Sequence, residues 1–247
     1  MKIGASTLAG HKEPIENTLG YFEGLGLDYA EILYQFPNDE INPDSLESFD
    51  LKYSVHSPIV DINIASLNKA IRKASIDEIK KAIDLANKLD SDIVVVHPGS
   101  IPFLGKGSED GIYALANSAI KELGEYGDDL GVTATIENMP AFEGMMYQDM
   151  EKLNQTLEAY DMFMTLDIGH AYHCGYSPSE MYFPRIKHIH AHDNNGNDDS
   201  HYSLGEGSID LKEIITKFES KNYDGIYIIE VNNKDSVKKS LEFLKSY

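Results

Sequence analysis

The amino-acid sequence predicts an α/β protein, a single (β/α)8 TIM barrel spanning residues 1–247. Three observations predict it. A length of 247 residues is about that of one such barrel. Apolar, β-rich segments alternate with helical patterns eight times, which is the signature of repeated βα units around a parallel sheet. Histidines and acids recur at the ends of those apolar segments, where a parallel barrel opens its C-terminal mouth.

The expected strands, in order, are 2–6, 29–36, 52–56, 92–97, 132–137, 162–167, 186–190 and 225–231. Helix starts are expected at Ser75-Ile76-Asp77-Glu78 and Ser177-Pro178-Ser179-Glu180, which fit the capping box: the serine caps a backbone N–H and the glutamate reaches back. Pro178 also suits a first helical turn. Asp210 with Glu213 is a weaker version, opening a helix toward Lys221. Ile76, Ile79, Ile83, Ala86 and Leu89 fall on one face of a helix that would pack on the barrel. The longest irregular stretch is 191–208, after the seventh strand; long connections inside compact domains are uncommon unless they bind something. No linker composition or close repeat divides the chain.

Composition narrows the chemistry. Hydrophobic residues make up 42% and are dispersed, with no run long enough to span a bilayer and no basic-then-apolar leader, so a cytoplasmic protein with no membrane partner is expected. A single cysteine, Cys174, excludes an internal disulfide framework and an all-thiolate metal site. The formal charge of −20 opposes nonspecific attraction to nucleic acid or anionic membrane. Carboxylates gathered around cations would contribute to that excess locally.

His56, His97, Glu137, Asp167, His190 and Glu230 close the third to eighth strands. One strand-end histidine is usually a satisfied core or rim residue. Six such residues in consecutive strands, with no Lys or Arg among them, form a repulsive and poorly solvated group that a cation resolves economically. Two loop features extend the set. His170 lies three residues after Asp167 and can swing back over the mouth, and Asp199 and His201 are spaced to chelate one ion from an extended segment. Mixed histidine and carboxylate ligation is typical of zinc, with manganese or magnesium as alternatives.

These residues resemble the xylose isomerase-like barrel superfamily, which includes sugar and sugar-phosphate isomerases and epimerases and endonuclease IV. The resemblance runs from about Lys52 to Val231, through Ser54-Val55-His56, Val96-His97-Pro98-Gly99, Ile136-Glu137-Asn138, Leu166-Asp167-Ile168-Gly169-His170, His190-Ala191-His192-Asp193, the segment from Asp199 to Gly207 and Ile229-Glu230. Endonuclease IV's trinuclear zinc pattern implies one ion held by His56, His97 and Glu137, and a second by Glu137, Asp167, His190 and Glu230. A third would be held by His170, Asp199 and His201. The isomerase and epimerase branch implies only the second group, with Glu137 and Glu230 as the acids that move protons.

The two branches ask different things of one mouth. Clustered zinc ions lower the pKa of bound water to about 7 and clamp both oxygens of a phosphodiester displacement. A single ion polarises a carbonyl while flanking carboxylates shuttle a proton. The ligand pattern favours hydrolysis, whereas the surface favours a small substrate. Where endonuclease IV carries arginine, the second-strand loop here has Asp39 and Glu40, and Ser57-Pro58-Ile59-Val60 lacks an aromatic wedge. Three divalent ions would still leave a charge of about −14. The expected partner is therefore a small sugar or sugar phosphate, with abasic DNA the alternative and a non-catalytic metal- or carbohydrate-binding barrel the third reading. The seventh-strand histidine is followed by Asn194-Asn195-Gly196 rather than the arginine frequent in the isomerase branch.

Other residues carry less. His188 is expected to be a hydrogen-bonded core histidine beneath His190, and Cys174 a buried free thiol beside His173. His192 and Asn138 are candidates for contacts around the ligands or the substrate. Gly205-Glu206-Gly207 lacks the setting of a nucleotide loop and is expected to turn the chain so that His201 returns to the mouth.

Overall fold

A computed structural model of the chain describes residues 1–246 and closes eight parallel strands into a barrel in sequence order. The strands are β1 Lys2–Ser6, β2 Tyr29–Leu33, β3 Lys52–His56, β4 Ile93–Val96, β5 Thr133–Glu137, β6 Phe163–Asp167, β7 Ile186–Ala191 and β8 Ile226–Ile229. Pairing of β1 with β8 completes the circle. Around it run α1 Ile15–Gly24, α2 Lys69–Lys88, α3 Glu109–Leu130, α4 Met150–Ala159, α5 Ile168–His173, α6 Leu211–Ser220 and α7 Lys234–Leu244.

The alternation of side chains along each strand separates two environments. Outward-pointing Val94, Val96, Ile136 and Leu166 join Ile79, Ile83, Ile120 and Leu123 of the helices in one apolar core between sheet and helix ring. Inside the barrel, buried Glu31, Ser54, Thr135, Thr165 and His188 form a polar floor. The hydroxyls of Thr135 and Thr165 meet at 2.7 Å within it. Branched apolar residues more often fill this space in such barrels. A polar floor supports charged groups placed above it.

Four sequence expectations are corrected. Seven helices, not eight, alternate with the strands among the described residues, because β2 and β3 are joined only by a 3-10 turn at Pro43–Ser45 capped by Asn42. Pro37 and Pro43 lack the N–H that a helix through this segment would need. Strand β2 stops at Leu33 rather than 36, since the Gln35 amide turns back onto the Leu33 carbonyl at 2.9 Å. Helix α2 begins at Lys69, where Asn68 caps the Ala70 and Ile71 amides, so Ser75 is not its start. Ser75 instead lies within the helix, donating to the Ile71 carbonyl and accepting from the Asn63 amide. The Ser177–Glu180 box forms but opens only the 3-10 turn Pro178–Glu180. Asp210 caps α6 through the Glu213 amide as expected.

At the N-terminal end of the barrel a cavity of about 820 Å³ is bordered by Lys2, Lys52, Lys187 and Asp224. No helix among the described residues is long and apolar enough to cross a membrane.

Candidate metal centre

The strand ends deliver six side chains to one place. His56, Glu137 and Asp167 terminate β3, β5 and β6, His190 is the penultimate residue of β7, and His97 and Glu230 follow β4 and β8 directly. All but His97 are buried, despite carrying charge or strong polarity. Parallel pairing sets Asp167 opposite His190, so neighbouring strands present their groups at one height.

Glu137 is the junction. Its Oε2 lies 2.9 Å from His97 Nε2 and 3.4 Å from His56 Nε2, while its Oε1 lies 2.8 Å from His190 Nδ1. His190 Nδ1 is in turn 3.3 Å from Glu230 Oε2. Each carboxylate oxygen of Glu137 therefore faces a different set of donors. The donor atoms of His56, His97 and Glu137 lie within 4.8 Å of one another, as do those of Glu137, Asp167, His190 and Glu230. A third group joins them above the mouth. Asp199 Oδ2 is 3.3 Å from His170 Nε2 and 3.2 Å from His201 Nε2. All nine residues singled out in the sequence thus fall in one contiguous cluster.

Backbone carbonyls decide which imidazole nitrogen is free. His56 Nδ1 lies 2.8 Å from the Ser57 carbonyl, His170 Nδ1 2.8 Å from that of Asn138, and His201 Nδ1 2.9 Å from that of Glu230. A carbonyl can only accept, so in each ring Nδ1 carries the proton and donates. The Nε2 lone pairs of the neutral rings are then directed at the carboxylates. Histidines that hold metals are commonly oriented by such a bond on their other nitrogen.

Protons offset part of this cluster's negative charge when no cation does. Burial alone would lower His170, but Asp167, Glu137 and Asp199 raise it to about 10. Burial likewise opposes protonation of His201, and Asp199 and Glu230 outweigh it to bring the group to about 9. His190 is held well above its ordinary value against burial by Glu31, Glu230 and Glu137. Burial would raise Glu230, yet His190 and His201 draw it down to about 2. At the more open His97, burial prevails over Glu137 and lowers the pKa.

The fit of a cation can be tested on atoms without partners. Glu137 Oε2, Asp167 Oδ2, Asp199 Oδ1, Glu31 Oε1, His190 Nε2 and both ring nitrogens of His192 are buried without a hydrogen bond. An unpaired buried polar atom costs about 1–3 kcal/mol, so the concentration of several in one cluster needs compensation. The donor set of imidazoles and carboxylates fits borderline divalent ions such as zinc.

Four further residues organise the cluster. Glu31, fully buried in β2, accepts from His188 Nε2 at 2.7 Å and from the Ser54 hydroxyl at 3.0 Å, and its other oxygen lies 2.9 Å from His190 Nε2. Glu31 lies inside its strand rather than at the end, and its signal in the sequence is a lone acid within the apolar Tyr29–Leu33 segment at the same parity as the strand end. His188 is the core histidine expected. Asn138 ties β5 to β6, donating to the Asp167 carbonyl at 3.0 Å and accepting from the Asp167 amide at 2.9 Å. Asp193 accepts from the amides of Asn194, Gly205, Gly207 and Ile209, so the glycine turn wraps around a carboxylate. That wrapping returns His201, whose φ of 48° lies in the left-handed region, to the mouth.

Cys174 and His173 stay outside the cluster. The thiol donates to the Met139 carbonyl at 3.4 Å, and burial pushes it up to about 11. His173 packs edge-on against Phe142. The mouth itself holds a cavity of about 310 Å³, lined by His56, His97 and Glu230 below and by Ile59, Val60 and Phe142 at the rim. Neither lysine nor arginine lines it among the described residues. Lys106 is paired with Glu143. Gln35 holds the rim by accepting from the Ile59 and Val60 amides at 3.0 and 2.9 Å.

The geometry can be set beside known proteins. The crystal structure of a D-tagatose 3-epimerase-like protein is similar at a TM-score of 0.90 and 34% identity, covering 100% of this chain and 97% of that one. An uncharacterized protein of Methanocaldococcus jannaschii, MJ1311, is 35% identical over 100% of this chain and 89% of its own length. A protein named "Probable endonuclease 4" from Thermotoga neapolitana is 26% identical over 75% of this chain and 73% of its own. Residues 25–247 match the family described as xylose isomerase-like TIM barrel, and the chain belongs to that family.

Proposed function

We propose that the chain is a metal-dependent epimerase or isomerase of a small sugar, with Glu137 and Glu230 as the groups that move protons. The observation that carries this reading is the placement of two buried carboxylates beside one imidazole nitrogen, 2.8 and 3.3 Å from His190 Nδ1, both lining a small cavity. His190 and its neighbours hold both acids below the ordinary carboxylate range despite their burial, so either can serve as the base that opens the reaction. One removes the proton from a carbon beside the sugar carbonyl, breaking that C–H bond. The other carboxylate, having first taken a proton from solvent, gives it to the opposite face and inverts the centre, while return by the first carboxylate of the proton it removed to the neighbouring carbon exchanges aldose and ketose. The apolar rim excludes water from the exchange. A divalent cation held by Glu137, Asp167, His190 and Glu230 would supply polarisation of the carbonyl and adjacent hydroxyl.

The lining favours an uncharged sugar over a sugar phosphate, because among the described residues no lysine or arginine lines the cavity to meet a phosphate. The likeness to a D-tagatose 3-epimerase-like protein supports the same reaction class. Incubation of the zinc- or manganese-loaded protein with a panel of ketoses in heavy water tests the proposal. Deuterium should enter the carbon beside the carbonyl, at a rate abolished by Glu230→Gln; a panel with no exchange and no new sugar would defeat it.

The second reading, phosphodiester hydrolysis, is favoured by the nine-residue donor set. Against it stand Asp39, Glu40 and the overall charge of −20. Efficient incision beside an abasic site, lost with His201→Ala and with chelator, would promote it above the first.

A further inference from the structure

We propose that His192 is a fourth protein donor to the ion assigned to His170, Asp199 and His201, closing that site so that it holds its metal structurally; this rests on the multinuclear reading of the cluster. The family pattern that implies three ions gives this position only three donors. Here the donor atoms of His170, His192, Asp199 and His201 all lie within 4.8 Å of one another.

No hydrogen bond accounts for His192. It is fully buried, yet neither ring nitrogen makes a hydrogen bond. Its Nε2 lies 3.4 Å from Asp199 Oδ1 and 3.1 Å from Asp167 Oδ1, on the side where the other imidazoles gather. The ring stacks on that of His201, centroids 3.9 Å apart and 12° from parallel, and meets His170 edge-on at 5.8 Å. An imidazole sealed among acids and other imidazoles, with both nitrogens unsatisfied, is costly unless a cation takes one of them.

The chain has made room for this ring. A methyl group on Gly169 would collide with His192 Cε1 and both ring nitrogens. Gly169 lies in the first turn of α5, a place where alanine is otherwise the better residue. The glycine between Asp167 and His170 is thus explained by the imidazole that packs over it. His192 also approaches from behind: His170, Asp199 and His201 border the mouth cavity, and His192 does not. Four protein donors complete the tetrahedral shell typical of structural zinc, whereas catalytic zinc keeps a position open for water or substrate. The ion above the mouth therefore shapes the cavity wall and leaves the chemistry to the groups beneath it.

Zinc counting and cobalt substitution test the assignment. After saturation with zinc and removal of free metal, the wild-type chain should retain one more ion than His192→Asn, which keeps hydrogen-bonding ability but loses the ring donors. Gly169→Ala, which removes no donor, should weaken the same ion, by more than the ten- to hundredfold typical of losing a group that merely orients a ligand. Cobalt in the wild-type site should give the intense visible bands of a closed tetrahedral shell, and these should fade in both variants while circular dichroism stays unchanged. Retention of the wild-type count, affinity and spectrum by both variants would exclude His192 as a donor and leave the three-ion reading standing. An ion count unaltered by His170→Ala as well would show that no ion occupies this group and would sink both.

Discussion

Replacement of Glu31 by glutamine tests whether the floor of the barrel supports the cluster above it. The carboxylate is fully buried, 2.7 Å from His188 Nε2 and 2.9 Å from His190 Nε2. Burial would raise its pKa, but His190 and the hydrogen bond from His188 hold it well below the ordinary range, so it is charged. At such separations and an effective dielectric of about 20, opposite unit charges attract by about 6 kcal/mol before desolvation is subtracted. Desolvation of each ion costs several kcal/mol, so the net worth of the intact pair is small. Removing one partner is different, because it leaves the imidazolium of His190 buried beside a neutral amide. Breaking a buried pair in this way typically costs about 3–5 kcal/mol. Glu31→Gln should therefore lower the unfolding free energy of the metal-free protein by about that amount in urea titrations. The metal-binding consequence follows from orientation: Glu31 holds the Nε2 side of His190 and leaves Nδ1 directed at Glu137 and Glu230. Zinc affinity should fall about ten- to hundredfold by calorimetry. A variant within 1 kcal/mol of wild type by urea titration, with unchanged zinc affinity, would refute the argument.

The remaining predictions concern the cluster and its loop. Zinc binding at pH 8 should release about two protons from His170 and His201, which sit at about 10 and about 9 without metal, as read from calorimetry in buffers of different ionisation enthalpy. Because both pKa values are raised above the ordinary 6.5, their contribution to the stability of the metal-free chain is full below that pH and disappears as pH rises through about 9 to 10; an apo-protein that gains stability across that range would contradict the assignment. Glu137→Gln should lose metal and turnover together, since both carboxylate oxygens face donors, whereas Glu230→Gln should retain the ion at the His56 and His97 site while losing turnover; equal metal loss in both would remove the distinction. Asp193→Ala leaves the amides of Gly205, Gly207, Asn194 and Ile209 without their acceptor and should cost about 3 kcal/mol, with loss of the ion above the mouth; an unperturbed melt would show that the loop holds itself.

Much of this protein was legible in one dimension. Apolar strands have a period of two and end at the barrel mouth, so His56, Glu137 and Asp167 announced themselves as terminal polar residues of buried runs, and Asp210 announced a helix start. Local rules failed where another local choice was available. Ser75-Ile76-Asp77-Glu78 has the letters of a cap, but Asn68 caps first and the intervening residues continue the helix. The eightfold alternation implies a helix between β2 and β3, where Pro37 and Pro43 interrupt the chain and only a 3-10 turn forms. Glu31 was not legible as part of the cluster and His192 was legible only as a contact around it, because their importance depends on groups brought from other strands: Glu31 meets His188 and His190 from across the barrel, and His192 meets His170 beside Gly169. What the sequence by itself determined was the barrel and the residue types at its mouth, since periodicity and chain length depend only on covalent order. Only the tertiary structure decided which nitrogen of His56, His170 and His201 is free, that Glu137 faces two donor groups at once, and that a third imidazole lies behind the third group. Those properties arise from the closure of the sheet, which sets residues far apart in sequence within hydrogen-bonding distance and removes the water that would otherwise solvate them.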